Sequence, residues 1–161
     1  MAHITSLHIY PIKSCAGWTL DTATLGHAGL ESEGIGDREW MIVTPAGDFL
    51  TQREYPRMTL IRSELQTVNG LKALVGAAPG HSSLSLPLED FALRSADRAV
   101  KVWGHNCLAF DEGDEAAVWL SDFLHAKARL VRFDPAHTRL DRKSTRLNSS
   151  HPRLSRMPSS A

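Results

Sequence analysis

Turn-forming residues recur so closely along the first 135 positions that only short strands fit between them. Asn69-Gly70 is the sharpest case. That pair favours positive φ at both centres of a two-residue hairpin turn, so "MTLIRSELQ" and "LKALVG" read as its arms. "PAGD" (Pro45–Asp48) reads as a second hairpin turn between "REWMIVT" and "DFLTQR", with Gly47 at the positive-φ position. Pro11 stops the alternating run "HITSLHIY", because proline cannot donate to a sheet ladder. "WTLDTATL" (Trp18–Leu25) alternates and is rich in threonine, and "HSSLSLPL" is a further short strand. "AVKVWG" and "NCLAFD" flank Gly104 and His105 as another hairpin, and "ARLVRFD" is a last strand ended by Pro135. "GHAGLESEGIGD" holds Gly26, Gly29, Gly34 and Gly36 and reads as a flexible connector.

One segment breaks the strand pattern. In "GDEAAVWLSDFLHA" (Gly113–Ala126), Ala116, Ala117, Leu120 and Leu124 recur at helical spacing, and Val118, Trp119 and Phe123 widen the apolar stripe. Asp111, Glu112, Asp114 and Glu115 crowd its start, where negative charge suits the helix dipole. The expected class is therefore α+β and β-rich: a partly closed barrel of about eight short strands, with one C-terminal amphipathic helix closing one side.

The 161 residues suffice for one domain with a core. The formal charge is zero, yet Asp141–Ala161 holds five basic residues and one acidic residue. Removing them from the 18 basic and 18 acidic residues leaves 13 against 17, a net of −4 over residues 1–140. A mildly acidic body gives no basic face for nucleic acid. No run approaches the ~18 apolar residues of a membrane span, and the N-terminus lacks the apolar core of a secretory signal. The expectation is a cytoplasmic protein with neither nucleic acid nor membrane as partner. Cys15 and Cys107 are too few for a disulfide framework and read as reduced thiols, with a single bridge between them as the alternative.

The last 21 residues show neither strand nor helix periodicity. A disordered basic tail is the plain reading. The letters "DRKSTRLNSSH" and "SRMPSSA" instead resemble the in-frame translation of a sequencing-library adapter. The expected organisation is one domain over residues 1–140, followed by an adapter-derived stretch at 141–161, with the native frame running on past Leu140.

Few residues suggest chemistry. Lys13 and Ser14 follow the end of a strand; they either blunt an exposed edge or turn together toward an anion, offering an ammonium and a hydroxyl. Arg38, in "GIGDREWMIV", either pairs with Asp37 or grips a phosphate with its planar fork. Arg53 and Arg57 are weaker candidates. Thiolates suit soft metals, but neither cysteine lies in a C-x-x-C pair or at ligand spacing from a histidine, so no metal site is expected. Cys15 reads as a small packed hydrophobe; a thiol enzyme built on it is the competing reading. No Walker loop, Rossmann fingerprint or zinc signature is present.

"IYPIKSCAG", "GLESEGIGDREWMIV", "FLTQRE", "GDEAAVWLSDFL" and "RLVRFDP", in this order, resemble the N-terminal β-barrel domain of MOSC proteins, the family of the amidoxime-reducing component and its bacterial relatives. The resemblance implies a molybdenum cofactor (molybdopterin) in the full-length parent and reduction of N-hydroxylated compounds. Electrons would come from a partner redox protein or an attached iron–sulfur domain. It also implies that Lys13, Ser14 and Arg38 contact the cofactor. The resemblance further implies that the family's metal ligand is not Cys15 but a cysteine of a C-terminal MOSC domain, expected where the adapter-like stretch begins. The fragment is then expected to be the cofactor-supporting half of an oxidoreductase, inactive alone and short of its MOSC domain. The alternative is a free-standing β-barrel module that docks onto a separate catalytic MOSC partner. Some family members transfer sulfur, and this half does not choose between the two roles.

Overall fold

The computed structural model describes residues 3–26, 29–88, 98–102 and 105–133. The first strands are β1 (Leu7–Ile9), β2 (Trp18–Leu20), β3 (Thr24–Gly26), β4 (Gly29–Ser32), β5 (Ile35–Gly36) and β6 (Trp40–Val43). After a 3-10 turn at Pro56–Leu60 come β7 (Arg62–Val68), β8 (Leu71–Ala77), β9 (Leu84–Pro87), β10 (Arg98–Val102) and β11 (His105–Asp111). Helix α1 (Asp114–Leu124) and strand β12 (Arg129–Phe133) close the described part. The β-rich α+β class is borne out. The number of strands is larger than expected, twelve among the described residues, because several runs are divided by turns.

The strands form four small antiparallel sheets, ordered β1-β2, β3-β4-β5, β7-β8-β9 and β10-β11-β12-β6. The Asn69-Gly70 hairpin forms as expected: φ is +51° and +82° at the two residues, and β7 pairs β8 from Arg62↔Ala77 to Val68↔Leu71. Gly47 has φ +90° and lies so close to β10 that an added Cβ would meet the Ala99 carbonyl oxygen at 2.5 Å. Strands β10 and β11 pair as the predicted hairpin, with Val102 opposite His105; the tip at 103–104 lies outside the described residues, as does the stretch 141–161.

Three expectations are corrected. The "flexible connector" is a meander, β3-β4-β5, whose second turn places Glu33 (φ +53°) and Gly34 (φ +84°) in left-handed backbone. The glycines there serve tight turns rather than flexibility. "DFLTQR" forms no strand: Phe49 makes only a single bridge to Val43, and Thr51 starts a turn. Val118, assigned to the apolar stripe, is 69% exposed, whereas Ala116, Ala117, Trp119, Leu120, Phe123 and Leu124 are buried. A stripe about 100° wide leaves the opposite face of α1 in water whatever residue occupies it.

Strand β6 organises the core. Trp40 and Ile42 join the larger cluster with Ile12, Cys15, Met58 and the helix residues Leu120 and Phe123. Met41 and Val43 point the other way, into a smaller cluster with Val100, Ala109 and Val131. Both faces of β6 are covered, which is why "WMIV" is apolar throughout rather than alternating. Trp40 is fully buried. Removing an indole of ~150–250 Å² from water is worth on the order of 4–6 kcal/mol at about 25 cal/mol per Å². That burial fixes the start of β6, and with it the turn that carries Arg38.

Candidate functional site

Two segments that lie far apart in sequence run side by side. Proline stops the ladder after Ile9, and the freed chain turns at Ile12–Cys15, where the Cys15 N–H donates to the Ile12 carbonyl at 3.2 Å. The turn before β6 docks against it. The Arg38 N–H donates to the Tyr10 carbonyl at 2.7 Å, the Trp40 N–H to Pro11 at 2.9 Å, and the Lys13 N–H to the Trp40 carbonyl at 2.9 Å. Asp37 adds a side-chain tie, its Oδ1 accepting the Tyr10 N–H at 2.8 Å. The backbones bearing Lys13, Ser14 and Arg38 are thus laced together.

The backbone at two of these residues is unusual. Ser14 has φ +67° and Arg38 has φ +57°. Residues with a Cβ avoid this left-handed region, and holding one there costs on the order of 1–3 kcal/mol. Such conformations persist only where neighbours over-determine them, and they collect at binding sites.

The side chains lie against separate aromatic rings. The Lys13 ammonium nitrogen is buried and sits 3.8 Å over the Phe49 ring. The Arg38 guanidinium is 59% exposed, contacts the Asp37 carboxylate, and lies 5.8 Å from the centre of the Tyr10 ring. The structure therefore joins the three residues through their backbone, while the two cationic heads rest on different partners. Arg57 stacks over Phe123 at 4.7 Å, an ordinary packing role for a weaker candidate.

Cys15 is 5% exposed within the larger cluster. Burial pushes its thiol up to about 12, so it carries no thiolate at neutral pH. It packs as a small hydrophobe, as expected, and neither cysteine is in a disulfide. Among the described residues, no group of three or more His, Cys, Asp and Glu side chains could hold a metal ion. No helix there is long and apolar enough to cross a membrane.

Sequence reasoning missed the support behind Arg38. Glu39 and Arg132, with side chains 11% and 10% exposed, form a nearly buried ion pair. One Glu39 oxygen accepts from Arg132 Nε at 2.7 Å and lies 2.6 Å from Nη2; the other accepts the Gly36 N–H at 2.8 Å. The Arg132 guanidinium also lies 4.6 Å over Trp40, whose indole N–H donates to Glu112 at 2.7 Å. Only the "DREW" segment hinted at this, by placing an acid at the entrance to a buried strand.

A second charged cluster stands at the start of α1. Asp111 receives two hydrogen bonds from Arg129, at 2.6 and 2.9 Å, a third from the Gly113 N–H at 2.9 Å, and a contact from Arg98. Burial alone would push the Asp111 carboxyl up. The bonds from Arg129 and Gly113 and the two arginine charges outweigh it and hold the group below the ordinary carboxylate range. Hydrogen bonds to Asp111 and Asp114 likewise raise Arg129, so that it stays charged.

The family model described as the MOSC N-terminal beta barrel domain matches residues 1–127. Mitochondrial amidoxime reducing component 2 of Bos taurus is 35% identical over 134 residues, covering 81% of this chain and 38% of its own length. Molybdenum cofactor sulfurase of Homo sapiens is 31% identical over 129 residues, covering 80% of this chain and 14% of its own. The chain thus spans well under half of either relative. A Bordetella bronchiseptica protein solved in solution aligns with TM-score 0.54 and 25% identity, over 63% of this chain and 76% of that one.

Proposed function

The chain belongs to the MOSC N-terminal β-barrel domain family, a family related to the molybdenum cofactor, and from that premise we propose that it forms the cofactor-supporting half of a longer molybdenum-cofactor oxidoreductase. Its substrate class is N-hydroxylated compounds, in keeping with the name of the amidoxime-reducing relative. Lys13, Ser14 and Arg38 hold the anionic, phosphate-bearing end of the pterin. The observation that carries this reading is the lacing of the 10–13 and 38–40 backbones, with Ser14 and Arg38 both held in left-handed conformations.

The donor set fits the group. An ammonium, a hydroxyl and a guanidinium are donors without carboxylate or thiolate ligands among them, suited to a phosphate rather than to the metal. The bound cofactor would supply the two-electron chemistry; a C-terminal MOSC domain would supply the metal ligand and the enclosure, and a redox protein or iron–sulfur domain the electrons. Arg38 offers the part of its half-exposed fork that Asp37 does not take, and Lys13 would have to rotate its stem off Phe49 to share an anion with it. Alone, this half has no reductase activity and binds anions weakly, because a ligand gripped from one side loses the enclosure of a pocket. Relatives named for reduction and for sulfuration both match this chain, and an anion site of this kind would suit either chemistry. A reducing, cytoplasmic setting is in keeping with two cysteines that form no disulfide.

The test is calorimetric titration of inorganic pyrophosphate into the 161-residue chain at low salt. Weak saturable binding that drops on Lys13→Ala and again on Arg38→Ala is the expected result. Binding unchanged in both variants, or none in the wild type, overturns the reading.

A further inference from the structure

We propose that Arg132 is a positioning residue for the candidate anion site, acting through Glu39 to hold the left-handed turn at Arg38; this rests on the anion-site reading above. The geometry is continuous. Arg132 lies on β12 directly opposite Trp40 of β6, so its Cα is fixed by the ladder that begins beside Arg38. Its guanidinium is pinned on one side by the Trp40 ring at 4.6 Å and on the other by the Glu39 carboxylate at 2.6 and 2.7 Å.

Glu39 is gripped at both ends. Its side chain takes the Gly36 N–H at 2.8 Å and its backbone carbonyl takes the Phe133 N–H at 2.9 Å. On the other flank the Asp37 N–H donates to Leu30 at 2.9 Å and the Asp37 carboxylate takes the Tyr10 N–H. Arg38 sits between two immobilised neighbours, its own N–H bonded to Tyr10. With φ at +57° and no glycine to ease it, the residue holds that shape only because its flanks are fixed.

The consequence concerns aim. A guanidinium recognises phosphate through a planar fork, so its usefulness depends on where its Cα points it. Releasing Glu39 from Arg132 lets residue 38 relax toward ordinary backbone, which swings the side chain away from the Lys13 segment. Outer partners that orient metal ligands matter by about 10–100-fold, and by analogy a shift near the lower figure is expected here.

The experiment follows the Arg38 amide, Cα and Nε–H signals by NMR in the 161-residue chain, with and without inorganic pyrophosphate. Arg132→Met is expected to move the Arg38 Cα shift and HN–Hα coupling off their left-handed values and to weaken pyrophosphate binding roughly tenfold. The Asn69-Gly70 turn signals should stay in place, and Arg132→Lys should recover part of the affinity. Glu39→Gln, which keeps the shape of the side chain, carries the same test should Arg132→Met fail to fold. Wild-type affinity with unmoved Arg38 signals in a folded variant overturns the positioning role alone. A wild type that binds no pyrophosphate removes the anion site itself, and the inference with it.

Discussion

Replacing Asp111 by Asn removes one negative charge from between two arginines and leaves the shape intact. The side chains of Asp111, Arg98 and Arg129 are 12%, 27% and 21% exposed, so the cluster is largely but not wholly withdrawn from water. Breaking a fully buried pair costs about 3–5 kcal/mol. The partial exposure of both arginines, and the Asp114 carboxylate 2.8 Å from Arg129, lower the expected cost to roughly 2–3 kcal/mol. In urea, at a slope of about 2 kcal/mol per M, the unfolding midpoint should fall by about 1–1.5 M. Tryptophan fluorescence, to which the fully buried Trp40 contributes, reports the transition. The acid dependence supplies a sharper check. The folded Asp111 titrates below its unfolded value of about 3.9, so its contribution is complete above that pH and disappears as pH falls through the folded value. The gap between wild type and Asp111→Asn should be full at pH 7 and narrow steadily below about pH 4. An equal gap at pH 7 and pH 3, or none at pH 7, would refute the assignment of this charge to the stability of the helix start.

Two shorter predictions concern the loop at residues 10–17. Cys15, pushed up to about 12 by burial, should resist iodoacetamide at pH 7–8 until the chain unfolds. Its neutral-thiol preference contributes fully below the unfolded value of about 8.5 and is lost as pH rises through the folded one, so Cys15→Ala should flatten the alkaline fall in stability. Rapid labelling of the native chain at neutral pH would revive the thiol-enzyme reading. Gly17→Ala would place a Cβ 2.7 Å from the Tyr10 ring and 2.9 Å from the Ile9 carbonyl oxygen. We expect a loss of about 1–3 kcal/mol in chemical denaturation and a displaced Tyr10 ring signal; a neutral substitution would mean the ring does not rest on this glycine.

How much was legible in the sequence follows from the range of each interaction. The Asn69-Gly70 turn and the buried stripe of α1 are written in adjacent or helically spaced residues, and both could be read directly. The Glu33-Gly34 turn was hidden because glutamate rarely takes the first left-handed position of such a turn, so neighbouring glycines looked like slack. Lys13, Ser14 and Arg38 stood out by chemical type, and their segments run side by side through backbone hydrogen bonds that no local pattern announces. What could not be read is the hold on Arg38. Glu39 and Arg132 are 93 positions apart, and no local pattern ties an acid at one strand's entrance to an arginine on another. Where the cationic heads rest, on Phe49 and on Tyr10, was equally a matter of tertiary contact.

The position of β12 bears on how this domain can be excised. The family-model match stops at residue 127, two residues before β12 begins. Yet β12 is an interior strand, hydrogen-bonded to β11 on one side and to β6 on the other, with Leu130 and Val131 at most 1% exposed. A fragment trimmed at the end of the family-model match would leave two open edges facing an empty slot and a core stripped of its lining. Any soluble minimal unit must therefore reach at least Phe133.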